Sequence, residues 1–121
     1  MHTVVLTASF ERQLKIVRLR EEEVQALIII LATNPFAGDL IEGSGGLRKL
    51  RFPKFGGGKS GGYRTIHFYA GVDLPIFLLD IFDKRDKGNL SKAELNAFAR
   101  LLPTLVEEYR ISAAQRSRGM H

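Results

Sequence analysis

The sequence predicts an α+β fold: a small antiparallel sheet with helices gathered on one face. Three observations predict it. Apolar residues recur at helical spacing near both ends of the chain: Phe10, Leu14 and Val17 first, then Leu95, Phe98, Leu102 and Leu105. The middle holds short strand-forming runs separated by glycine-rich turns. One run, Ile76–Phe82, is almost wholly apolar, as a strand buried on both faces would be.

Taken in order, Thr3–Leu6 reads as a short edge strand, and Thr7 as the cap of a first helix. Leu19–Arg20 breaks that helix. Glu21, Glu22 and Glu23 then suit the positive N-terminus of a second one, which Asn34–Pro35 ends. A connection this tight predicts an antiparallel helical hairpin. Val24, Leu27, Ile28 and Leu31 form its core stripe. Ile29 and Ile30 fall outside the stripe; burial against the rest of the fold is favoured over a partner-binding patch. Phe36–Gly46 is a loop with turn residues at Gly38-Asp39 and at Gly43, Gly45 and Gly46. Strands follow at Leu47–Phe52, Tyr63–Tyr69 and Ile76–Phe82. Ser91 and Glu94 have capping-box spacing and open a C-terminal helix, which Pro103 should kink or restart. The single domain is expected to span residues 1–111, leaving 112–121 as a disordered basic tail.

The 121 residues carry a formal charge of +5, which favours nucleic acid or another anionic partner and says nothing about fold. There is no cysteine, so disulfides, thiolate catalysis and Cys-ligated zinc are excluded. The histidines, His2, His67 and His121, have no metal-ligand spacing, and neither a bound metal nor a cofactor is predicted. No signal peptide is evident, and no apolar run is long enough to span a bilayer. The expected location is the cytoplasm.

The stretch from Gly43 to Tyr69 concentrates the chemistry. It holds most of the glycines and six cations (Arg48, Lys49, Arg51, Lys54, Lys59 and Arg64) with no Asp or Glu. GGGKS suggests a phosphate loop, but Pro53 stands where that pattern needs glycine, and a strand follows instead of a helix. Lys59 on the glycine-rich tip and Arg64 on the next strand are better read as cations for a nucleic-acid phosphate, since guanidinium grips phosphate through two parallel bonds. Alternation puts Arg64, Ile66 and Phe68 on one face and Tyr63, Thr65, His67 and Tyr69 on the other. Both faces are mixed, so alternation leaves open which one meets the helices. His67 is read as structural, because no carboxylate near it in sequence is placed to orient it; Asp80 is a carboxylate that can approach it in space.

The segments GDLIEGSGGLRKLRF, GGGKSGGYRTIHFY and LLDIFDKRDKGNLSKAE resemble the toxins of the RelE/HigB superfamily, most closely the HigB-like branch. The resemblance covers nearly the whole chain. It implies a bacterial type II toxin–antitoxin toxin that cleaves messenger RNA without metal, in most members on the ribosome. In that reaction the 2′-hydroxyl attacks the adjacent phosphate, leaving a 2′,3′-cyclic phosphate and a 5′-hydroxyl. It implies catalytic roles for Lys59, Arg64 and Lys84, and RNA-binding roles for Arg48, Lys49 and Arg51. It also implies a helix-turn-helix antitoxin as partner, with operator DNA reached only through the toxin–antitoxin complex.

One departure matters. Relatives often carry tyrosine in a segment like IYGKNE, where this chain has IFDKRD. Phe82 cannot transfer a proton, although it can stack on a base. The general acid and base are therefore unassigned; a lysine whose pKa is lowered by neighbouring cations is one candidate base. A gyrase-poisoning toxin of the ParE type and a non-catalytic nucleic-acid-binding relative are the alternatives. The Arg48, Lys49, Lys59, Arg64, Lys84 set argues against the first, and Phe82 supports the second.

Overall fold

The computed structural model describes residues 1–54 and 62–119, without the side chains of 117–119. Strand β1 spans Val4–Leu6, followed by helices α1 (Ala8–Val17) and α2 (Glu21–Thr33). Strands β2 (Asp39–Leu40), β3 (Leu47–Phe52), β4 (Tyr63–Tyr69) and β5 (Ile76–Asp83) come next, and α3 runs from Lys92 to Gly119. The sheet order is β1-β5-β4-β3-β2.

The expected α+β class holds, and the strand pairing differs from an all-antiparallel sheet. β1 runs parallel to β5, while the other three pairings are antiparallel. The chain leaves β1 through two helices and no tight turn, so nothing forces an antiparallel partner. The Gly38-Asp39 turn is also modified, because Asp39 and Leu40 pair with Lys49 and Arg48 as β2. Gly38 permits this close approach: its φ is +81°, and a Cβ there would lie 2.3 Å from the Lys49 carbonyl oxygen.

Helices cover both faces of the sheet, where one face was expected. Phe10 of α1 and Leu27 and Leu31 of α2 pack on Leu78 and Ile81 from one side. Leu102 of α3 packs on Ile66, Phe77 and Leu79 from the other. Two cores result, and β5 is buried along its whole length because it serves both.

Local signals explain the helix ends. The Phe10 amide donates to Thr7 Oγ1 at 3.3 Å, and the Thr7 hydroxyl donates to the Leu78 carbonyl at 2.7 Å, tying the start of α1 to β5. α1 ends at Arg18 in the left-handed region, with φ 58°. The Ser91–Glu94 capping box forms in both directions, at 2.9 and 3.1 Å. α3 passes Pro103 without restarting: the proline is exposed, and flanking turns on both sides maintain the helix. The helix then continues to Gly119, through a segment expected to be disordered.

Ile29 and Ile30 are 54% and 40% exposed, so their expected burial is not found. α2 packs through Val24, Leu27 and Leu31, and these two residues lie on its outer side. Among the described residues, no helix is long and apolar enough to cross a membrane.

Candidate nucleic-acid interface

Strand register decides which cations meet. Arg51 stands opposite Arg64, and Arg64 opposite Phe82. In the next row, Lys49 stands opposite Ile66, and Ile66 opposite Asp80. Ile66 and Phe82 belong to the core under α3, so both rows lie on the α3 face. Lys49, Arg51 and Arg64 therefore share one face.

Arg48 does not join them. One residue along β3, it projects to the face that carries α1 and α2. Its guanidinium lies 5.5 Å from the centre of the Phe36 ring, and Nη2 donates to the Gly38 carbonyl at 3.4 Å. Its strand partner there is His67.

The three shared cations differ in setting. Arg51 is exposed. Lys49 is half-buried and donates to Asn89 Oδ1 at 3.3 Å. Arg64 is 7% exposed, and its Nη1 donates to the Tyr63 carbonyl at 3.4 Å. Lys84 is exposed one residue beyond β5, and its amide donates to the Gly62 carbonyl at 3.1 Å, extending the ladder past the strand end. Lys59 lies outside the described residues.

Phe82 is packed into the core under α3, 5% exposed. The Lys87 ammonium sits 4.9 Å from its ring centre, a cation–π arrangement, and is itself paired with Glu94 at the start of α3. The ring expected to stack on a base is thus covered by a cation that sequence reasoning passed over.

Asp83, next to Phe82, takes the opposite face and gathers cations of its own. Lys54 Nζ donates to Oδ2 at 2.6 Å, and Arg85 Nη2 donates to the same oxygen at 3.1 Å. Burial raises the Asp83 pKa, but these hydrogen bonds outweigh it and hold the carboxyl well below the ordinary range.

Two further titratable groups are buried in the sheet. His67 is fully buried, and its Nε2–H donates to the Pro35 carbonyl at 3.0 Å. Burial lowers its pKa to about 4, with nearby Arg48 adding to the effect against the Pro35 hydrogen bond. Its structural reading fits this setting, and Asp80 lies on the opposite face. Asp80 is 4% exposed; burial raises its pKa to about 6, opposed by Lys87 and by the hydrogen bond from the Ile81 amide. A lone carboxylate in an apolar strand was the signal that could have singled it out.

A family model described as the RelE toxin of the RelE / RelB toxin-antitoxin system matches residues 2–115. The chain belongs to this toxin family, whose members act with an antitoxin partner. A solved structure of E. coli toxin RelE, a mutant in the free state, is similar with a TM-score of 0.49 at 15% identity; the match covers 72% of this chain and 87% of that one.

Proposed function

We propose that this toxin is a metal-independent endoribonuclease of the HigB-like branch, cutting messenger RNA on the translating ribosome. The observation that carries the proposal is the Arg51–Arg64 pair on the α3 face. Like charges directly opposite on neighbouring strands are destabilising, and one of these is largely buried. A phosphate between them turns that repulsion into attraction.

In this reading Arg64 stabilises charge on the non-bridging oxygens as the 2′-hydroxyl attacks, usually a large contribution. Lys49 and Arg51 hold the flanking backbone, and Lys59 and Lys84 complete the cationic set around the scissile phosphate. Arg48, across the sheet, supports β3 through Phe36 and touches no RNA. The products carry a 2′,3′-cyclic phosphate and a 5′-hydroxyl. A helix-turn-helix antitoxin neutralises the protein in the cytoplasm, and operator DNA is reached only through that complex.

The test uses purified protein and ribosomes programmed with messenger RNA. Wild type should cut within the programmed codons, and Arg64→Ala should cut about 100- to 1,000-fold more slowly, as loss of one transition-state donor does. A folded Arg64→Ala protein that cuts at the wild-type rate refutes the assignment. The covered Phe82 ring favours a second reading, a binder that blocks the ribosome without cutting; inhibited translation with intact message would establish it.

A further inference from the structure

We propose that Asp80 is the proton acceptor of this site, taking the proton of the attacking 2′-hydroxyl through one bridging water. The proposal rests on the endoribonuclease reading and supplies the base that Phe82 cannot be.

The carboxyl is where it is because of an irregularity in β5. Ile66 pairs with Asp80, but the adjacent His67 pairs with Leu78, so Leu79 is an extra residue in β5. Simple alternation from Ile76 and Leu78 would send Asp80 to the face of α1 and α2. The bulge reverses the parity, and Leu79, Asp80 and Phe82 all meet the α3 face. Bulges beside functional sites commonly re-aim a side chain in this way. In its new position Asp80 is the diagonal cross-strand neighbour of Arg64, roughly 7 Å away. It shares its row with Lys49.

The groups facing it are mixed in charge. Lys49 and Arg64 come from β3 and β4, Lys87 from the β5–α3 connection and Glu94 from α3. Lys87 favours the ionised carboxyl and Glu94 opposes it, while burial keeps it a better base than an exposed aspartate. An exposure of 4% suits contact through a single water. In the step, the proton passes from the 2′-hydroxyl by way of that water to the carboxylate. The O2′–P bond forms and the P–O5′ bond breaks. The departing O5′ takes a proton from solvent, and Asp80 later returns its own to solvent.

The test is the pH profile of single-turnover cleavage on programmed ribosomes. Wild type should show a rate rising with pH through an inflection near 6. Asp80→Asn should be slowed about 100-fold or more and should lose the inflection. Lys87→Ala should move the inflection to higher pH and Glu94→Ala to lower pH, which a purely structural Asp80 would not do. A flat wild-type profile between pH 5 and 7 overturns the proposal, even if Asp80→Asn fails to fold. So does a folded Asp80→Asn protein that keeps the wild-type rate, or inflections unmoved in both neighbouring variants. Wild-type protein that cuts no message at any pH overturns the endoribonuclease reading itself, and this inference with it.

Discussion

Arg51 and Arg64 face each other across β3 and β4, at a cost of up to about 1 kcal/mol for like charges so placed. Arg48 and Lys49 show how finely the sheet sorts its cations, since consecutive residues lie on opposite faces. Lys49→Ala should weaken binding of single-stranded RNA and reduce the slope of log affinity against log salt by about 0.7, the value of one phosphate contact. Arg48→Ala should leave that slope unchanged and lower stability by about 1 kcal/mol, through its lost packing on Phe36. Salt titrations of both variants check this, and a flatter slope in Arg48→Ala would refute the division of faces. Strand alternation carries that division, but the resemblance that gave Arg48 and Lys49 one RNA-binding role did not apply it. The placement of Asp80 was not readable, because one extra residue in β5 reverses the parity and only the pairing with β4 reveals it. Lys87 escaped notice too, in a charged run whose fold back onto Phe82 depends on where α3 starts.

At the scale of elements, the helix signals in the sequence were the most legible. Thr7, Asn34–Pro35 and the Ser91–Glu94 box mark boundaries because each satisfies or denies backbone groups locally. The end of α1 is less expected, since Arg18 holds a left-handed conformation with φ 58°. Relief of about 1–2 kcal/mol of strain, set against about 0.5–1 kcal/mol for glycine's greater chain entropy, leaves a gain. Arg18→Gly should therefore stabilise the protein by up to about 1 kcal/mol in urea unfolding. A loss of stability would mean that the Arg18 side chain contributes more than its strain removes. The exposed Ile29 and Ile30 show the limit of periodicity: it found the stripe that packs, and it could not show that none of the described residues covers the other side.

For the whole molecule, composition and element order were enough for the α+β class, while the two-sided arrangement was not visible. An almost wholly apolar β5 signalled burial on both faces, yet which helix covers which face is a tertiary choice. The two cores carry buried groups that oppose one another in pH. His67 titrates at about 4 folded and 6.5 unfolded, so its contribution to stability is full above 6.5 and is lost as pH falls toward 4. Asp80 titrates at about 6 folded and 3.8 unfolded, so its contribution is full below 3.8 and is lost as pH rises through 6. Each is worth roughly 3 kcal/mol, and between about pH 4 and 6 they largely cancel. Wild-type stability should be nearly flat across that window. Asp80→Asn should become more stable as pH rises through it, and His67→Gln less stable. Chemical denaturation across the window checks both slopes, and parallel slopes in the two variants would contradict the buried states assigned here.

In the proposed reading, the cationic α3 face cuts messenger RNA. Mapping transcript 5′ ends after brief expression in growing bacteria tests it most directly. Wild type should give discrete new ends within translated frames, dependent on translation, and Arg64→Ala at equal abundance should give almost none. Intact transcripts in cells whose growth has stopped would refute messenger RNA cleavage, most pointedly if DNA-damage signalling appears in their place.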